Sequence, residues 1–347
     1  MRGRVTVRPA GGRFSLRLDL RAVAALVAIG GVALAGAVAN VGYGEYPIAP
    51  LDVVRTVLGM ETGDASSSFI VNTLRLPRAL VALLVGAALA VSGAILQGLT
   101  RNDLAAPDII GINAGAGLAA VALIVVLPSV PAAFVPPAAF VGALAVAALL
   151  YAIAWRGDGS PVRLILVGVG LSAVAVSLTT LVITFGEIRQ VSQALVWLTG
   201  SVYGRSWEQA WSLLPWLAVF VPLALARAPR LNALNLGDEV ARGLGVRVER
   251  ERGLLVLTSV ALAASAVATA GTIAFVGLMA PHIARRLAGP SFGGLLPVTA
   301  VTGAALVVLS DLLGRVLLPP TEIPCGIVTS IVGAPFFLYL LFRGRKG

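Results

Sequence analysis

Apolar runs of about twenty residues recur along the chain and are separated by short polar segments. A helix of about that length crosses the ~30 Å hydrocarbon layer of a bilayer and satisfies its own backbone hydrogen bonds. We therefore predict an all-α polytopic membrane protein with about ten transmembrane helices. The predicted spans are residues 20–40, 76–99, 109–127, 134–155, 162–186, 209–226, 253–272, 273–288, 295–317 and 324–342.

The seventh and eighth predicted spans are the least regular, because Gly271, Gly277 and Pro281 interrupt them. They fit either two spans or one long helix followed by a re-entrant segment. Charge favours two spans, since ten spans with an inner N-terminus place twenty Arg and Lys residues inside and six outside. Cytoplasmic segments carry such an excess of positive charge. Both termini are therefore predicted to be cytoplasmic.

The 347 residues are predicted to form one transmembrane domain, residues 20–343. Residues 1–19 are predicted to be a basic cytoplasmic N-terminus, and residues 344–347 a cytoplasmic tail. A secretory signal is the alternative for the N-terminus. The basic region is long, however, and no small-residue cleavage site with a soluble domain follows it, which favours an uncleaved first span.

Composition excludes several classes of function. Charged residues make up 12% of the chain, whereas soluble domains carry about 25%. The net charge of +10 follows from arginines at inner helix ends, so we predict no nucleic-acid partner. Lys346 is the single lysine and cannot complete a nucleotide-binding P-loop. Cys325 and His282 are also single, so we predict no disulfide, no bound metal or cofactor and no enzymatic activity.

The segment from Arg227 to Arg252 is the long polar segment of the chain and holds ten of its forty-two charged residues. We predict an inner loop with two short helices. Asn235 is the predicted N-cap of one of them, and Asp238 and Glu239 occupy its first turn, where the helix dipole favours acidic residues. Next comes a small apolar surface that fits a groove on a soluble partner, made by Ala241, Leu244 and Val246.

Five ordered motifs cover most of the chain. The first runs from Leu74 to Gly117 and includes Leu-Arg-Leu-Pro-Arg and Arg-Asn-Asp-Leu-Ala-Ala-Pro. The others are Val196–Ser201 with Trp207, Leu236–Gly245, the Gly-Thr-Ile-Ala-Phe-Val-Gly-Leu-Met-Ala-Pro-His sequence from Gly271, and Glu322–Thr329 with Gly333–Phe337. Over about residues 20–343 the sequence thereby resembles the FecCD family, the permease subunits of ABC importers for iron-siderophores, haem and vitamin B12.

The resemblance implies a bundle of the vitamin B12 permease type in the cytoplasmic membrane of a prokaryote. It implies four kinds of partner: the lipid bilayer, a second permease subunit that is a copy or a paralogue, two cytoplasmic ABC ATPase subunits, and an extracytoplasmic substrate-binding protein. ATP and Mg²⁺ would then bind the ATPase subunits and not this chain. In the inner polar segment, the residues matching the family's ATPase-coupling loop are Gly237, Asp238, Glu239, Ala241, Leu244 and Gly245.

Three arginines match family positions that contact acidic residues of the binding protein: Arg75, Arg78 and Arg315. Charge-assisted Arg–carboxylate pairs suit a reversible docking surface and fix its register. The alternative is that these arginines extend their side chains from helix ends to the membrane interface. Pro77, between the first two, fits the first turn of a helix and predicts that the second span begins there.

The family's cytoplasmic gate matches Asn102, Leu104 and Pro107, at the inner end of the second span. An apolar side chain can dewet a constriction, and an Asn can form a hydrogen-bonding rim. Asp103 stands where the family usually has Pro. The alternative for this segment is an ordinary inner loop.

The fifth predicted span carries small and hydroxyl residues, and the resemblance favours it as a lining of the transport path. The candidate lining residues are Gly168, Ser172, Thr179 and Thr180. Serine and threonine hydroxyls can equally bond to carbonyls of their own helix.

These observations predict the permease subunit of an ATP-driven importer that translocates an iron(III)-siderophore complex. Haem and vitamin B12 remain alternative substrates. An ion-coupled secondary transporter is the alternative of a different class and would need an acidic residue within a span. Asp311 is the candidate for that acid, although its neighbour Arg315 makes pairing the simpler role.

Overall fold

A computed structural model describes residues 4–7, 16–44, 46–60, 65–154 and 161–344. Part of the predicted basic N-terminus and residues 345–347 of the predicted tail lie outside these ranges. The described chain is helical, apart from loops and one antiparallel hairpin that pairs β1 (Arg4–Val7) with β2 (Leu16–Asp19). The hairpin precedes the first helix and was not expected from the sequence.

The helices follow one another through short connections. In chain order they are α1 (Leu20–Gly42), α2 (Pro50–Val57), α3 (Ala65–Phe69), α4 (Leu76–Thr100), α5 (Ile112–Val126), α6 (Val135–Ala154), α7 (Pro161–Thr184), α8 (Ile188–Thr199), α9 (Trp207–Asn235), α10 (Asp238–Gly243), α11 (Val248–Ala270), α12 (Val276–Ala288), α13 (Phe292–Leu317) and α14 (Cys325–Gly344).

Each of the ten predicted spans coincides with one long or medium helix: α1, α4, α5, α6, α7, α9, α11, α12, α13 or α14. Among the described residues, eight helices are long and apolar enough to cross a membrane. The other two are α5, with 15 residues, and α12, with 13. A helix the length of α12 rises about 20 Å, less than the hydrocarbon thickness. The number of complete crossings therefore stays a prediction.

The irregular region 253–288 is a full helix, a short irregular segment and a second, shorter helix. Helix α11 ends at Ala270, and the chain has no regular secondary structure from Gly271 to Ala274 before α12 begins. Phe275, at the N-cap of α12, has a left-handed backbone with φ 67°. The predicted boundary at residue 273 was therefore close, but the first residues of that segment are not helical.

Helices α4 and α11 form the centre of the bundle. In their most apolar windows, 78% of the residues around α4 and 83% of those of α11 are buried, against 17% in α7. Helix α4 packs against α13, α11, α9 and α12, while α5 packs against α6 and α7. In α1 and α9 the buried share is 22%, so these two helices and α7 lie at the periphery of the bundle.

Glycine permits the closest approaches of α4 to its neighbours. A Cβ on Gly86 would collide with the carbonyl of Gly303 in α13, and a Cβ on Gly93 would collide with the carbonyl of Gly277 in α12. Small residues allow this contact where lipid supplies no hydrophobic drive between helices. Directly before Gly93, Ser92 Oγ lies 2.8 Å from the carbonyl oxygen of Ser259 in α11.

Two sequence predictions about helix ends need correction. Pro77 lies in the first turn of α4 as predicted, but it does not start the span sharply, because the chain is already helical from Ala65 and passes through a π-helical turn at Ile70–Arg75 into α4. The polar segment 227–252 is mostly helical, since α9 continues to Asn235 and α11 begins at Val248. Both helices extend into the polar residues, which need not lie in the hydrocarbon layer to stay helical.

Substitution of Gly93 by alanine is expected to destabilise the protein by about 1–3 kcal/mol, because the new methyl group overpacks a backbone contact. Thermal denaturation of the purified protein in detergent measures this as a lower midpoint. Gly30→Ala, in α1, is the matched control, because a Cβ at Gly30 would have no neighbouring atom within 4 Å. Equal midpoints for the two variants would contradict the packing argument.

Candidate functional site

At the N-terminal end of α4, which the sequence predicts to be its outer end, Arg78 forms a buried ion pair with Asp311 of α13. The Arg78 Nε and Nη2 atoms donate to the two carboxylate oxygens over 2.9 and 2.7 Å. Asn40 of α1 donates to the same carboxylate over 2.9 Å. Arg78 is 7% exposed and Asp311 1%. Three helices therefore meet at one carboxylate, which is paired chiefly with Arg78 rather than with Arg315, the partner expected from the sequence.

Two further arginines and Glu322 surround this pair. Glu322 Oε2 lies 2.8 Å from Arg78 Nη2, and Glu322 Oε1 lies 3.5 Å from Arg315 Nε. Arg315 Nη1 donates to the carbonyls of Asn40 and Tyr43 over 3.0 and 2.9 Å. Arg75 donates to the carbonyls of Val41, Gly42 and Tyr46 at the C-terminal end of α1 and just beyond it. The cluster thus ties α1, α4, α13 and the loop before α14 together.

The structure brings the three predicted docking arginines into this one outer cluster. Arg78 and Arg315 are each less than one-tenth exposed, whereas Arg75 is partly exposed. Their guanidinium groups are engaged within the chain. Contact with a binding protein stays a prediction, and it would require these groups to share or exchange their present partners.

At the C-terminal end of α4, which the sequence predicts to be its inner end, the predicted gate residues lie in a tight turn. Arg101 ends the helix in a left-handed conformation with φ 53°. The Asn102 Oδ1 atom accepts from the backbone N–H of Leu104 over 2.9 Å, and the Asn102 carbonyl accepts from that of Ala105 over 3.1 Å. Asn102 and Leu104 are half-buried, and Pro107 is buried. We call residues 101–108 the inner turn.

Asp108 anchors the inner turn to the N-terminal end of α12. Its Oδ2 atom accepts from the backbone N–H of Phe275 over 3.0 Å, and its Oδ1 atom accepts from Asn113 Nδ2 over 2.9 Å. Burial raises the pKa of the Asp108 carboxyl, while these two hydrogen bonds act in the opposite direction. A carboxylate at this position also complements the positive end of the α12 dipole.

The predicted coupling residues form α10 and its two ends. Gly237, with φ 121°, precedes the helix as its N-cap, and Asp238 and Glu239 occupy the first turn as predicted. Asn235 is not the N-cap, because it is the last residue of α9. Gly245, with φ 78°, lies just beyond the C-cap Leu244.

Helix α10 is fixed on one side and open on the other. Ala241 is fully buried, and Asp238 pairs with Arg252 of α11 at 2.6 Å. The opposite side exposes apolar side chains that are 47–68% accessible, namely Leu236, Val240 and Leu244. This apolar patch is held on a rigid support, which is the geometry that a docking surface requires.

The predicted lining residues of α7 divide between two faces. Gly168 and Thr179 are buried, and Gly168 packs against the backbone of Ile110. Thr180 is exposed and Ser172 half-buried. The hydroxyls of Thr179 and Thr180 donate to carbonyls of their own helix over 2.8 and 3.0 Å. Contact with a transported solute stays a prediction, which the exposed face of Thr180 fits better than the buried face.

Comparison with known proteins assigns the chain to a family. The model of the FecCD transport family matches residues 24–343. The chain belongs to the FecCD family. It is 45% identical to the Fe(3+)-citrate import system permease protein YfmE of Bacillus subtilis over 95% of this chain and 98% of that protein. It is 44% identical to the cobalamin import system permease protein BtuC of Halobacterium salinarum over 81% of this chain and 75% of that protein.

A solved structure of a metal-chelate type ABC transporter in an inward-facing conformation has the same fold. The TM-score is 0.82 at 30% identity, and the match covers 92% of this chain and 98% of that one. The predicted class of fold and the predicted family are thereby confirmed for this FecCD protein.

Several residues at the two ends of α4 were missed by reasoning from the sequence. Asn40, Glu322 and Asp108 hold the clusters together, and Arg101 and Arg285 make ion pairs at the inner turn. Spacing gives no signal for partners that lie far apart in the chain. Asp103 did carry a signal, because it departs from the family pattern and the structure pairs it with Arg285.

Replacement of Asp311 by alanine is expected to cost about 3–5 kcal/mol, because it leaves buried arginines uncompensated. Equilibrium unfolding in mixed SDS micelles measures this cost. The double variant with Arg78→Met is expected to recover part of the loss, since it removes one of the orphaned charges. Asp52→Ala, at the exposed Asp52–Arg55 pair, is the control, with a cost below about 1 kcal/mol. A double variant no more stable than the single one would contradict the pairing.

Proposed function

We propose that this FecCD protein is the permease subunit of an ABC importer that passes an iron(III)-siderophore complex into the cytoplasm. Separate ATPase subunits bind ATP and Mg²⁺ and drive the movement. A second permease subunit completes the path, and an extracytoplasmic binding protein delivers the substrate. The chain resides in the cytoplasmic membrane of a prokaryote and crosses it several times.

The match to an Fe(3+)-citrate permease over nearly the whole of both chains carries the proposal. Overall identity does not separate substrates, since a cobalamin permease is 44% identical. Iron chelates are favoured because an iron(3+)-hydroxamate permease and a second Fe(3+)-citrate permease of Bacillus subtilis are also similar, at 43% and 40% identity over at least 93% of their own lengths. Cobalamin and haem are the competing substrates.

The ion-coupled alternative is disfavoured by the state of Asp311. An ion-coupled carrier uses an intramembrane acid that can gain and lose its ion. Here both carboxylate oxygens of Asp311 accept from Arg78, and Asn40 donates to one of them. A carboxylate fixed by a bidentate arginine is suited to holding helices together, not to cycling.

The apolar patch of Leu236, Val240 and Leu244 supports energy input from a soluble partner. These side chains lie on the open side of α10, and the Asp238–Arg252 ion pair and the buried Ala241 hold its other side in place. Interfaces of this kind combine an apolar centre with a charged rim. The rim here includes Glu239, Arg242 and Glu249, with Arg242 and Glu249 paired at 3.9 Å.

Leu244→Glu is expected to reduce co-purification of the ATPase subunits by tenfold or more, about 1.4 kcal/mol or above, because it places a charge in the centre of the apolar patch. Uptake falls with it. Leu287→Glu is the matched control, an exposed leucine of α12 outside the patch. Retention of the ATPase by the Leu244 variant would contradict the coupling surface.

The substrate is tested by uptake into a strain that lacks its own iron-chelate permeases and expresses the complete transporter. We expect ⁵⁵Fe accumulation from ferric siderophore, unchanged by excess cobalamin or haem. Asp52→Asn is the control variant in the same strain and is expected to leave uptake unchanged, because the ion pair that it removes is exposed. Accumulation of labelled cobalamin or haem without iron-siderophore uptake would assign the alternative substrate.

A further inference from the structure

The two residues on either side of Asn102 carry opposite charges and contact different helices. Arg101 Nη2 lies 3.5 Å from Asp238 Oδ1 of α10. Asp103 Oδ1 lies 2.6 Å from Arg285 Nη1 in the last turn of α12. Asn102 is therefore flanked by two ion pairs that connect the inner turn to α10 on one side and to α12 on the other.

The turn between these pairs is stiff. The hydrogen bonds of Asn102 with Leu104 and Ala105 close it from both the side chain and the backbone. A left-handed residue at Arg101 fixes its entry. Movement applied to Arg101 or Asp103 is thus passed to Leu104 and is not absorbed by a flexible loop.

The contacts to α12 differ in their exposure. Asp108 holds the N-terminal end of α12 through Phe275. The Asp103–Arg285 pair lies at the other end of α12, where the side chain of Asp103 is 62% exposed and that of Arg285 is 23% exposed. Exposed pairs are weak and screened by salt. The pair at Asp103 can therefore open while Asp108 keeps the turn attached to α12.

The contact to α10 is a direct one. Asp238 is already fixed to α11 by Arg252, with oxygen to nitrogen distances of 2.6 and 2.7 Å. Arg101 is its second partner. The side chain of Arg101 thus connects the inner turn directly to α10, the helix that carries part of the apolar patch.

We propose that the inner turn is suspended between two ion pairs with opposed roles. Arg101–Asp238 transmits movement of α10 to the turn, and Asp103–Arg285 is a latch that keeps the turn on α12. The proposal rests on the proposed function, because it assumes that ATPase subunits move α10 and that Leu104 lies at the gate.

The test uses the single cysteine of the chain. Cys325 is buried, so Leu104→Cys in a Cys325→Ala background gives one reporter at the inner turn. The complete transporter in nanodiscs is labelled with a membrane-impermeant maleimide, with and without ATP and vanadate. The labelling rate is compared among the parent, Arg101→Gln and Asp103→Asn, with ATPase retention checked by co-purification.

Arg101→Gln is expected to abolish the nucleotide-dependent change in labelling rate, because α10 no longer pulls the turn. Asp103→Asn is expected to raise the nucleotide-free rate about 1.4- to 5-fold at low salt, the range that corresponds to an exposed ion pair. The exchanged pair Asp103→Arg with Arg285→Asp restores the parent rate, and 1 M salt removes the difference. Asp52→Asn leaves both rates unchanged.

An unchanged nucleotide response in Arg101→Gln, or a parent-like rate in Asp103→Asn at low salt, would overturn the proposal while leaving the importer function intact. A parent protein whose Leu104→Cys reporter does not respond to nucleotide would instead refute the gate assignment and with it this proposal.

Discussion

Helices in a bilayer gain little by burying apolar surface against one another, because the lipid tails are equally apolar. The bundle depends instead on backbone approach at glycine. Gly86 and Gly93 bring α4 against α13 and α12 at distances that no larger residue allows. With these contacts in place, α4 becomes the buried centre of the bundle, and buried hydrogen bonds hold its outer end against α1 and α13.

Helix α4 has 25 residues and is about 37 Å long, so its two ends lie near opposite faces of a membrane that it crosses. Its outer end carries Arg78 in a buried cluster with Asp311 and Glu322. Its inner end carries Arg101 and Asp103 in exposed pairs. Buried pairs resist separation once formed, whereas exposed pairs exchange readily. The outer end thus holds helices together, and the inner end is the part that we propose to move.

Much of this architecture could be predicted from the sequence. Apolar run length located the ten principal helices, and five motifs indicated the family. The boundaries failed where helices leave the hydrocarbon, as at Asn235 and Pro77, because a polar sequence does not distinguish a helix in water from a loop. The ion pairs could not be predicted, since Arg78 and Asp311 are 233 residues apart. Periodicity within one helix says nothing about such partners.

We propose that this FecCD protein is a passive transport path, which ATPase subunits bound at its inner face open and close. The most direct measurement is chelate accumulation in proteoliposomes that contain the permease and its binding protein, with or without the ATPase subunits. The account predicts accumulation against a gradient only with the ATPase subunits and ATP, and none from an imposed proton gradient. Accumulation driven by the proton gradient without those subunits would contradict it.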